Sequence, residues 1–263
     1  MVAIVILTFI ALIVIAIAVE NTVISAAALA VLGIILLYIL LLVVTSLTVD
    51  TKKVYSRHNR FYRRVLQDVT AVILFIVGVR TKVSGRELLP EGRFLIVSNH
   101  RSNFDSIVTW HALRRYDISY IAKPSLFKIP VFGRLIRSSC FMPIDRENAR
   151  NALNTFRHAA QLMSEDQANV GVFPEGTRNK SCEGLLPFHH AVFKAAQEAN
   201  VPVVVCAVTE TQKIHKNVPF GFSTVYLDIL EVIPAQFVTS SKRMDISERV
   251  NSLLTAGLKR REG

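Results

Sequence analysis

A histidine and an aspartate stand five positions apart in the stretch NHRSNFD, residues 99–105. A neutral imidazole can take a proton from an alcohol near neutral pH, and a carboxylate on its other ring nitrogen fixes the tautomer and stabilises the imidazolium. His100 and Asp105 are therefore a candidate base and its orienting partner, with a substrate hydroxyl in the place that serine holds in a catalytic triad. The spacing alone leaves a second interpretation open, in which His100 caps a helix or bonds a loop carbonyl.

A second polar stretch, FPEGTR at residues 173–178, follows directly on another strand-like run. Proline followed closely by glycine favours a tight turn, and the N–H groups of such a turn can face an anion. Glu175 adds an acceptor, and Arg178 adds a planar guanidinium suited to phosphate. The stretch predicts an anion-binding turn, and an ordinary surface turn is the alternative.

The elements that must position these residues follow from the hydrophobic pattern. From about residue 93, short β-rich runs alternate with helix-length segments, which is typical of βαβ units. The predicted strands are 94–99, 118–122, 140–144, 170–173, 201–209 and 224–232, and the predicted helices are 104–115, 125–137, 149–164, 188–199 and 245–261. We predict an α/β domain with a mixed sheet flanked by helices, and both polar stretches at the carboxyl ends of strands, where such sheets bind ligands.

His100 and Asp105 can meet only if the helix begins between them. On one continuous helix, a step of five residues turns the side chains about 140° apart. With His100 before the helix and Asp105 in its first turn, the two side chains converge, and the helix dipole favours the aspartate there.

The first fifty residues are apolar and contain no lysine or arginine. Residues 2–19 and 23–49 are two apolar runs, each close to the roughly 20 residues that a membrane-spanning helix needs. We predict that residues 1–50 form a transmembrane helical hairpin. Six basic residues follow between positions 52 and 64, which predicts an integral membrane protein with both termini and the catalytic domain on the cytoplasmic face.

Residues 51–80 combine this basic cluster with the apolar run VTAVILFIVGV at 69–79. The run is too short to span a membrane and fits an interfacial helix or a buried core helix. We favour the interfacial interpretation, because the basic cluster would lie among anionic head groups. Residues 81–263 then form the catalytic domain.

The charge, the cysteine content and the absent motifs limit the classes of ligand and function that we expect. The net charge is +11, and all 31 lysines and arginines lie in residues 51–263, which together with the apolar segment predicts contact with membrane lipid. Three scattered cysteines have neither disulfide nor zinc spacing, and we expect no bound metal. No G-x-S-x-G, P-loop, G-x-G-x-x-G or nucleic-acid motif occurs, so the serine hydrolase, nucleotide hydrolase, dehydrogenase and nucleic-acid-binding classes lack their required parts.

Taken together, NHRSNFD, the segment from Lys123 to Arg146 that ends in Pro-Ile-Asp-Arg, FPEGTR, and the strand opening Val201-Pro202 resemble the glycerolipid acyltransferase family, in particular the 1-acylglycerol-3-phosphate acyltransferases. The resemblance covers about residues 80–210. The chain departs from the family pattern at residues 123–126, Lys-Pro-Ser-Leu, and at residues 187–191, Pro-Phe-His-His-Ala.

The resemblance implies transfer of a fatty acyl group from acyl-CoA or an acyl carrier protein to the sn-2 hydroxyl of lysophosphatidic acid, without an acyl-enzyme and without a cofactor. It implies that His100 is the general base and Asp105 its partner, and that Lys123 and the N–H of Gly176 stabilise the oxyanion. The residues implied at the glycerol phosphate of the acceptor are Arg146, Glu175, Gly176, Thr177 and Arg178.

Three alternatives stay open at this point. The acceptor could be another lysophospholipid or a different lipid. The His-Asp pair could act on water, as in a lipase-like hydrolase. The chain could also be a non-catalytic protein that binds lipid at the membrane surface through its basic residues.

Overall fold

The computed structural model describes residues 11–14, 22–57, 59–145, 147–181, 183–218 and 221–262. The chain divides into two compact units, Met1–Asp50 and Thr51–Gly263.

The first unit contains helix α1, Thr22–Leu47, which is 26 residues long and includes an 18-residue window with a mean hydropathy of 3.1. Its apolar residues lie on all sides, as expected for a helix surrounded by lipid. At 1.5 Å per residue it is about 39 Å long, enough to cross the hydrocarbon of a bilayer. The first run of the predicted hairpin lies outside the described residues except for 11–14, which are helical. Within the described ranges, one helix is therefore a candidate span.

The second unit is built on a seven-stranded mixed sheet. The strands are β1 Val79–Ser84, β2 Leu95–Ser98, β3 Ile118–Ala122, β4 Met142–Pro143, β5 Asn169–Val172, β6 Val203–Thr209 and β7 Ser223–Ile233. Their order is β1-β7-β6-β2-β5-β3-β4. The pair β6/β7 is antiparallel, and the other pairs of described strands are parallel.

Helices cover both faces of this sheet. They are α2 Arg60–Ile76, α3 Phe104–Ala112, α4 Phe132–Ser138, α5 Ala149–Ser164, α6 Lys194–Ala199, α7 Ile214–Asn217, α8 Ala235–Ser240 and α9 Arg243–Glu262. Helices α5, α6 and α9 pack into one apolar cluster, while α2, α3 and α4 pack into the other. The central strands β2 and β6 are buried along their whole length, which explains their continuous apolar sequences. The predicted mixed sheet flanked by helices is confirmed.

The structure differs from several predicted elements. The predicted helix 188–199 is a 3₁₀ turn, His190–Phe193, followed by α6, and the predicted strand 140–144 is limited to Met142–Pro143. The predicted helix 125–137 is a 3₁₀ turn, Pro124–Lys128, followed by α4, because Pro130 lies between them and a proline disfavours helical conformation in the residue before it. Strand β1 occupies residues 79–84, so the boundary between the segment 51–80 and the catalytic domain 81–263 falls inside this strand. Its exposed and half-buried residues alternate as on an edge strand.

Helix α2 packs onto the sheet through an arginine. Arg63 is buried, and its guanidinium donates to the carbonyl of Ile118 at 3.1 Å and to the hydroxyl of Ser119 at 3.2 Å. It also lies 5.8 Å from the ring centre of Trp110. Burial lowers the pKa of Arg63 to about 10. These contacts fix which face of α2 is turned toward the sheet.

A buried ion pair holds the end of α9 against the sheet. The carboxylate of Asp228 on β7 is almost fully buried and accepts two hydrogen bonds of 2.7 Å from Arg261. Ser84 on β1 donates a third hydrogen bond to it. The bonds from Arg261 hold the pKa of Asp228 below its usual value. The pair therefore links β1, β7 and α9.

Replacing Arg261 with methionine should leave this carboxylate without its counter-ion. We expect Arg261→Met to lower the free energy of unfolding by about 1–2 kcal/mol at neutral pH, a value moderated by the partial exposure of Arg261. The exposed neighbour Arg260 is the control, and Arg260→Met should change the free energy by less than about 0.5 kcal/mol. Urea unfolding of the full chain in detergent measures both.

The loss of stability caused by Arg261→Met should depend on pH. Because the pKa of Asp228 is lowered in the folded state, its stabilisation is present above the ordinary pKa of an aspartate and is lost as the pH falls through the lowered value. The difference between wild type and Arg261→Met should therefore shrink on acidification. A difference that stays constant down to acidic pH would contradict this account.

Candidate active site

His100 and Asp105 meet at the carboxyl end of β2. His100 follows the last strand residue by two positions, and Asp105 lies in the first turn of α3. The His100 Nδ1 and the Asp105 Oδ2 are 2.8 Å apart. An ionised carboxylate only accepts hydrogen bonds, so Nδ1 is the ring nitrogen that donates. This leaves Nε2 with its lone pair free to accept a proton.

Asp105 is held by four donors. Its Oδ2 also accepts the N–H groups of Arg101 and Ser102, each at 2.7 Å, and its Oδ1 accepts the hydroxyl of Thr211. The side chain is completely buried. A buried carboxylate needs several hydrogen bonds of this kind, because an unpaired buried charge costs several kcal/mol. The four bonds also leave it no alternative orientation from which to hold the imidazole.

Aromatic stacking fixes the plane of the imidazole. The ring of His100 lies parallel to Phe173 with centroids 4.0 Å apart, and Phe173 stacks on Tyr120 at 5.6 Å. Gly171 makes room for this column, since a Cβ there would lie 2.5 Å from the Tyr120 ring. The His100 side chain remains 18% exposed. The imidazole is thus oriented by a carboxylate and a ring stack while one part of it stays open to solvent.

The FPEGTR turn contacts His100 through Glu175. This buried carboxylate accepts the N–H of His100 at 2.7 Å with one oxygen and the N–H of Leu186 at 2.9 Å with the other. Burial raises the pKa of Glu175, and the two backbone hydrogen bonds partly offset that rise. Asn179 adds a second link, because its N–H donates to the carbonyl of His100 at 2.7 Å. The two motifs therefore form one site.

Gly176 is at the tip of this turn in a left-handed conformation, with φ +67°. A Cβ at this position would lie 2.7 Å from the ring of His189, so both the conformation and the close approach favour glycine. The N–H of Gly176 donates to the carbonyl of Phe173 at 3.0 Å and closes the turn. This is the same N–H that the resemblance assigns to the oxyanion.

Three of the remaining site residues named from the sequence lie at the surface. Thr177 and Arg178 are exposed and directly follow the turn. Lys123 is exposed and follows the last residue of β3, two strands away from β2 in the sheet. Arg146 lies outside the described residues. The exposed positions at the turn leave the Arg178 guanidinium accessible to a ligand.

Three polar residues that the sequence analysis did not single out hold the site together. Asn99 pairs its side-chain amide with the N–H and carbonyl of Val208, at 2.8 Å each, and so ties β2 to β6. Thr211 bonds Asp105, and Asn179 bonds His100. Asn99 stands inside the first motif, and Thr211 follows the end of β6, but nothing in their spacing indicates their partners.

Other reactive groups in the described part of the chain are poorly suited to catalysis. Burial raises the pKa of Cys206 to about 12 and that of Cys140 to about 11, which keeps both thiols protonated and unreactive. Among the described residues, no group of three His, Cys, Asp or Glu side chains could hold a metal ion. Among these groups, the His100–Asp105 pair is the one whose geometry suits general base catalysis.

The contribution of the Thr211 hydrogen bond to stability can be separated from the contribution of its methyl group to packing. We expect Thr211→Val to lower the free energy of unfolding by about 2–3 kcal/mol, because it removes a donor from a buried carboxylate. Thr211→Ser keeps the hydroxyl and loses only a methyl group, at a cost of about 1 kcal/mol. Denaturant unfolding should therefore give a higher free energy of unfolding for Thr211→Ser than for Thr211→Val.

Thr70 provides the matched control for this prediction. It is buried, and its hydroxyl donates to a carbonyl of its own helix, that of Gln67, at 2.9 Å. Because no charge is involved, Thr70→Val should cost no more than about 1 kcal/mol. If Thr211→Val proves more stable than Thr211→Ser, the methyl group matters more than the hydrogen bond and the account of Asp105 is incorrect.

Comparisons with known proteins agree on one family. The acyltransferase family model matches residues 80–209. The chain is 34% identical to the 1-acyl-sn-glycerol-3-phosphate acyltransferase of Haemophilus influenzae, over 62% of this chain and 67% of that protein. It is 33% identical to the Escherichia coli protein of the same name, over 48% of this chain and 51% of that protein. The human 1-acyl-sn-glycerol-3-phosphate acyltransferase alpha is 28% identical, over 73% of this chain and 69% of that protein.

A solved structure has the same fold. The crystal structure of the 1-acyl-sn-glycerophosphate (LPA) acyltransferase from Thermotoga maritima superposes with a TM-score of 0.63 at 22% sequence identity. The match covers 76% of this chain and 80% of that chain.

Proposed function

The chain belongs to the acyltransferase family, and from this membership and the geometry at His100 we propose that it acylates the free sn-2 hydroxyl of lysophosphatidic acid. The product is phosphatidic acid, so the reaction is a step of phospholipid synthesis. The donor is a thioester, acyl-CoA or acyl carrier protein. The names of the relatives support lysophosphatidic acid as the acceptor, and the chemistry of the site supports direct transfer.

The single observation that carries the proposal is the hydrogen bond between His100 Nδ1 and Asp105, 2.8 Å long. It leaves Nε2 to accept the proton of the acceptor hydroxyl as the oxygen attacks the thioester carbonyl. The tetrahedral intermediate then expels the thiolate, the carbon–sulfur bond breaks, and the imidazolium returns its proton to that sulfur. Asp105 stabilises the imidazolium between the two steps. No acyl-enzyme forms, because the substrate oxygen is itself the nucleophile.

The oxyanion of the intermediate needs donors, and each good donor contributes roughly 3 to 4 kcal/mol in comparable acyl-transfer sites. We assign this role to Lys123 and to the N–H of Gly176. The Gly176 N–H already donates to Phe173, so its participation requires the turn to open slightly when the thioester binds. Lys123 is exposed, and its side chain would have to reach the intermediate from the end of β3, two strands away from β2.

The phosphate of the acceptor is assigned to the exposed side chains after the turn. Arg178 supplies a guanidinium and Thr177 a hydroxyl, with Arg146 as a further cation. Gly176 keeps the backbone of the turn close to the ligand. Glu175 has both oxygens engaged by backbone N–H groups, so its part in substrate binding is to hold this turn against His100.

The membrane arrangement is part of the same proposal. Helix α1 is a candidate span, and we propose that residues 1–50 form a hairpin with both termini in the cytoplasm. The basic residues after position 50 then keep the catalytic unit on the cytoplasmic face. A lipid acceptor and a water-soluble donor can both reach an enzyme held in this way.

Removing the base should abolish transfer without unfolding the protein. We expect His100→Ala to lower the rate of phosphatidic acid formation by about a thousandfold, while Asp105 keeps its three other donors and the fold survives. The exposed His190 provides the control, and His190→Ala should retain wild-type activity. The assay uses the purified full chain in mixed micelles with labelled lysophosphatidic acid, and either acyl-CoA or acyl carrier protein as donor.

The same assay separates the alternatives. Release of free fatty acid in place of acylated lipid would indicate a hydrolase, and lipid binding without any product would indicate a binding protein. Preference for another lysophospholipid would change the acceptor and leave the mechanism intact. Wild-type turnover in His100→Ala would contradict the mechanism itself.

A further inference from the structure

A cavity of about 410 Å³ lies where β6 ends and β7 begins. The residues that line it are Thr209, Glu210, Thr224, Tyr226 and Arg261. Thr209 is opposite Tyr226 in the antiparallel β6/β7 ladder. Ala207 belongs to the apolar cluster that includes α9, and Val208 belongs to the cluster on the other face. Because side chains alternate along a strand, Thr209 and the cavity lie on the α9 side of the sheet.

The wall of this cavity includes a buried hydroxyl group that lacks a partner. Thr209 is 3% exposed, and its Oγ1 has no hydrogen-bond partner among the residues that the structure describes. A buried polar atom without a partner costs free energy, so most such atoms in folded proteins are hydrogen-bonded. A polar ligand in the cavity can supply this missing hydrogen bond.

Two cations lie at the ring of Tyr226, which forms part of the cavity wall. The guanidinium of Arg261 is 4.4 Å from the centre of that ring, and the ammonium of Lys82 is 5.8 Å from it. Lys82 is exposed and pairs with Tyr226 in the parallel β1/β7 ladder, so the two side chains are on the same face of the sheet. The bonds of Arg261 to Asp228 use Nε and Nη2, which leaves Nη1 for a ligand.

The two carboxylates near the cavity have their own cations. Asp228 is bound by Arg261, and Glu210 is paired with Lys213 at 2.6 Å. Lys82 therefore makes the surroundings of the cavity positive. A phosphate group suits such a site, because its oxygens can accept hydrogen bonds from a hydroxyl, a guanidinium and an ammonium group together.

One short loop connects the cavity to the catalytic pair. Glu210 has a left-handed backbone conformation, with φ +72°, which is uncommon for a residue with a side chain. It lies between Thr209, which lines the cavity, and Thr211, whose hydroxyl donates to Asp105. Three consecutive residues thus join the cavity wall to the carboxylate that orients His100.

We propose that this cavity binds the phosphate group of the acyl donor, an inference that rests on the acyl transfer proposed above. In acyl-CoA and in acyl carrier protein, a phosphate stands at the far end of the pantetheine arm from the thioester. Strand β2, which leads to His100, lies between β5 and β6. The turn after β5 is assigned to the phosphate of the acceptor, and the cavity at the end of β6 takes that of the donor. The two substrates then approach His100 from different sides.

Equilibrium binding tests the site without turnover. The purified full chain in detergent is titrated calorimetrically with phosphopantetheine, which both donors contain, and with pantetheine, which lacks the phosphate. We expect Lys82→Gln to weaken phosphopantetheine binding about tenfold and Thr209→Val to weaken it about fivefold. Pantetheine should bind the wild type and both variants equally. Lys242→Gln is the control, because Lys242 is exposed and precedes α9 at the end opposite Arg261.

The stability of Thr209→Val separates ligand binding from a structural role. Because Oγ1 has no partner within the described residues, replacing the hydroxyl with a methyl group should leave the free energy of unfolding unchanged or raise it. Weaker phosphopantetheine binding together with undiminished stability is the expected result. A loss of stability as large as that of Thr211→Val would show that the hydroxyl supports the fold, and would overturn its assignment to a ligand.

Donor selectivity provides the kinetic counterpart. The ratio of kcat/KM for palmitoyl-CoA to that for S-palmitoyl-pantetheine should fall about tenfold in Lys82→Gln and should keep its wild-type value in Lys242→Gln. Palmitoyl carrier protein is measured in the same way. A fall with one donor alone assigns the phosphate to that donor, and a fall with both assigns it to their common phosphopantetheine.

Three results would overturn the proposal. They are phosphopantetheine binding no tighter than pantetheine binding, affinities unchanged in both variants, and inorganic phosphate binding as tightly as phosphopantetheine, which would make this a site for free phosphate. Failure of the acyl transfer itself has a different signature. In that case phosphopantetheine binding would still depend on Lys82 while no acylated lipid formed with any donor.

Discussion

The carboxylate of Asp105 is the contact on which the rest of the site depends. It is buried and accepts hydrogen bonds from two backbone N–H groups, from Thr211 and from the imidazole of His100. The cost of burying this charge is offset only because every donor is in place. In return, the imidazole is held in one tautomer with its reactive nitrogen free, before any substrate binds.

The sheet explains why these donors can converge. β6, β2 and β5 are adjacent parallel strands, so their carboxyl ends lie at one edge and their following loops meet. β2 contributes His100, β5 contributes the FPEGTR turn, and β6 leads to Thr211. Asn99 links β2 to β6 and Glu175 links β5 to β2. These buried polar links fix the relative positions of the three loops more precisely than apolar packing alone.

Local patterns determined what could be predicted from the sequence. The strand 118–122 and the helix 149–164 match their predicted bounds, because each has a clear period and a clear end. The His-Asp spacing could be interpreted because a helix start lies between the two residues. The bonds from Asn99 to Val208 and from Thr211 to Asp105 join residues 109 and 106 positions apart, and no local signal specifies such partners. The apolar run 69–79 left an interfacial helix and a buried core helix open, and only the packing of Arg63 revealed which face of α2 is exposed.

The central claim is that Asp105 keeps His100 protonated at Nδ1 with Nε2 free. Nitrogen-15 NMR of the histidine rings in the full chain, with His100 assigned from the signal lost in His100→Gln, measures this tautomer directly. At a pH where the ring is neutral, the account predicts a protonated Nδ1 and a bare Nε2, and a shift toward the other tautomer in Asp105→Asn. A proton on Nε2 in the wild-type protein, or a His100 signal unaffected by Asp105→Asn, would contradict it.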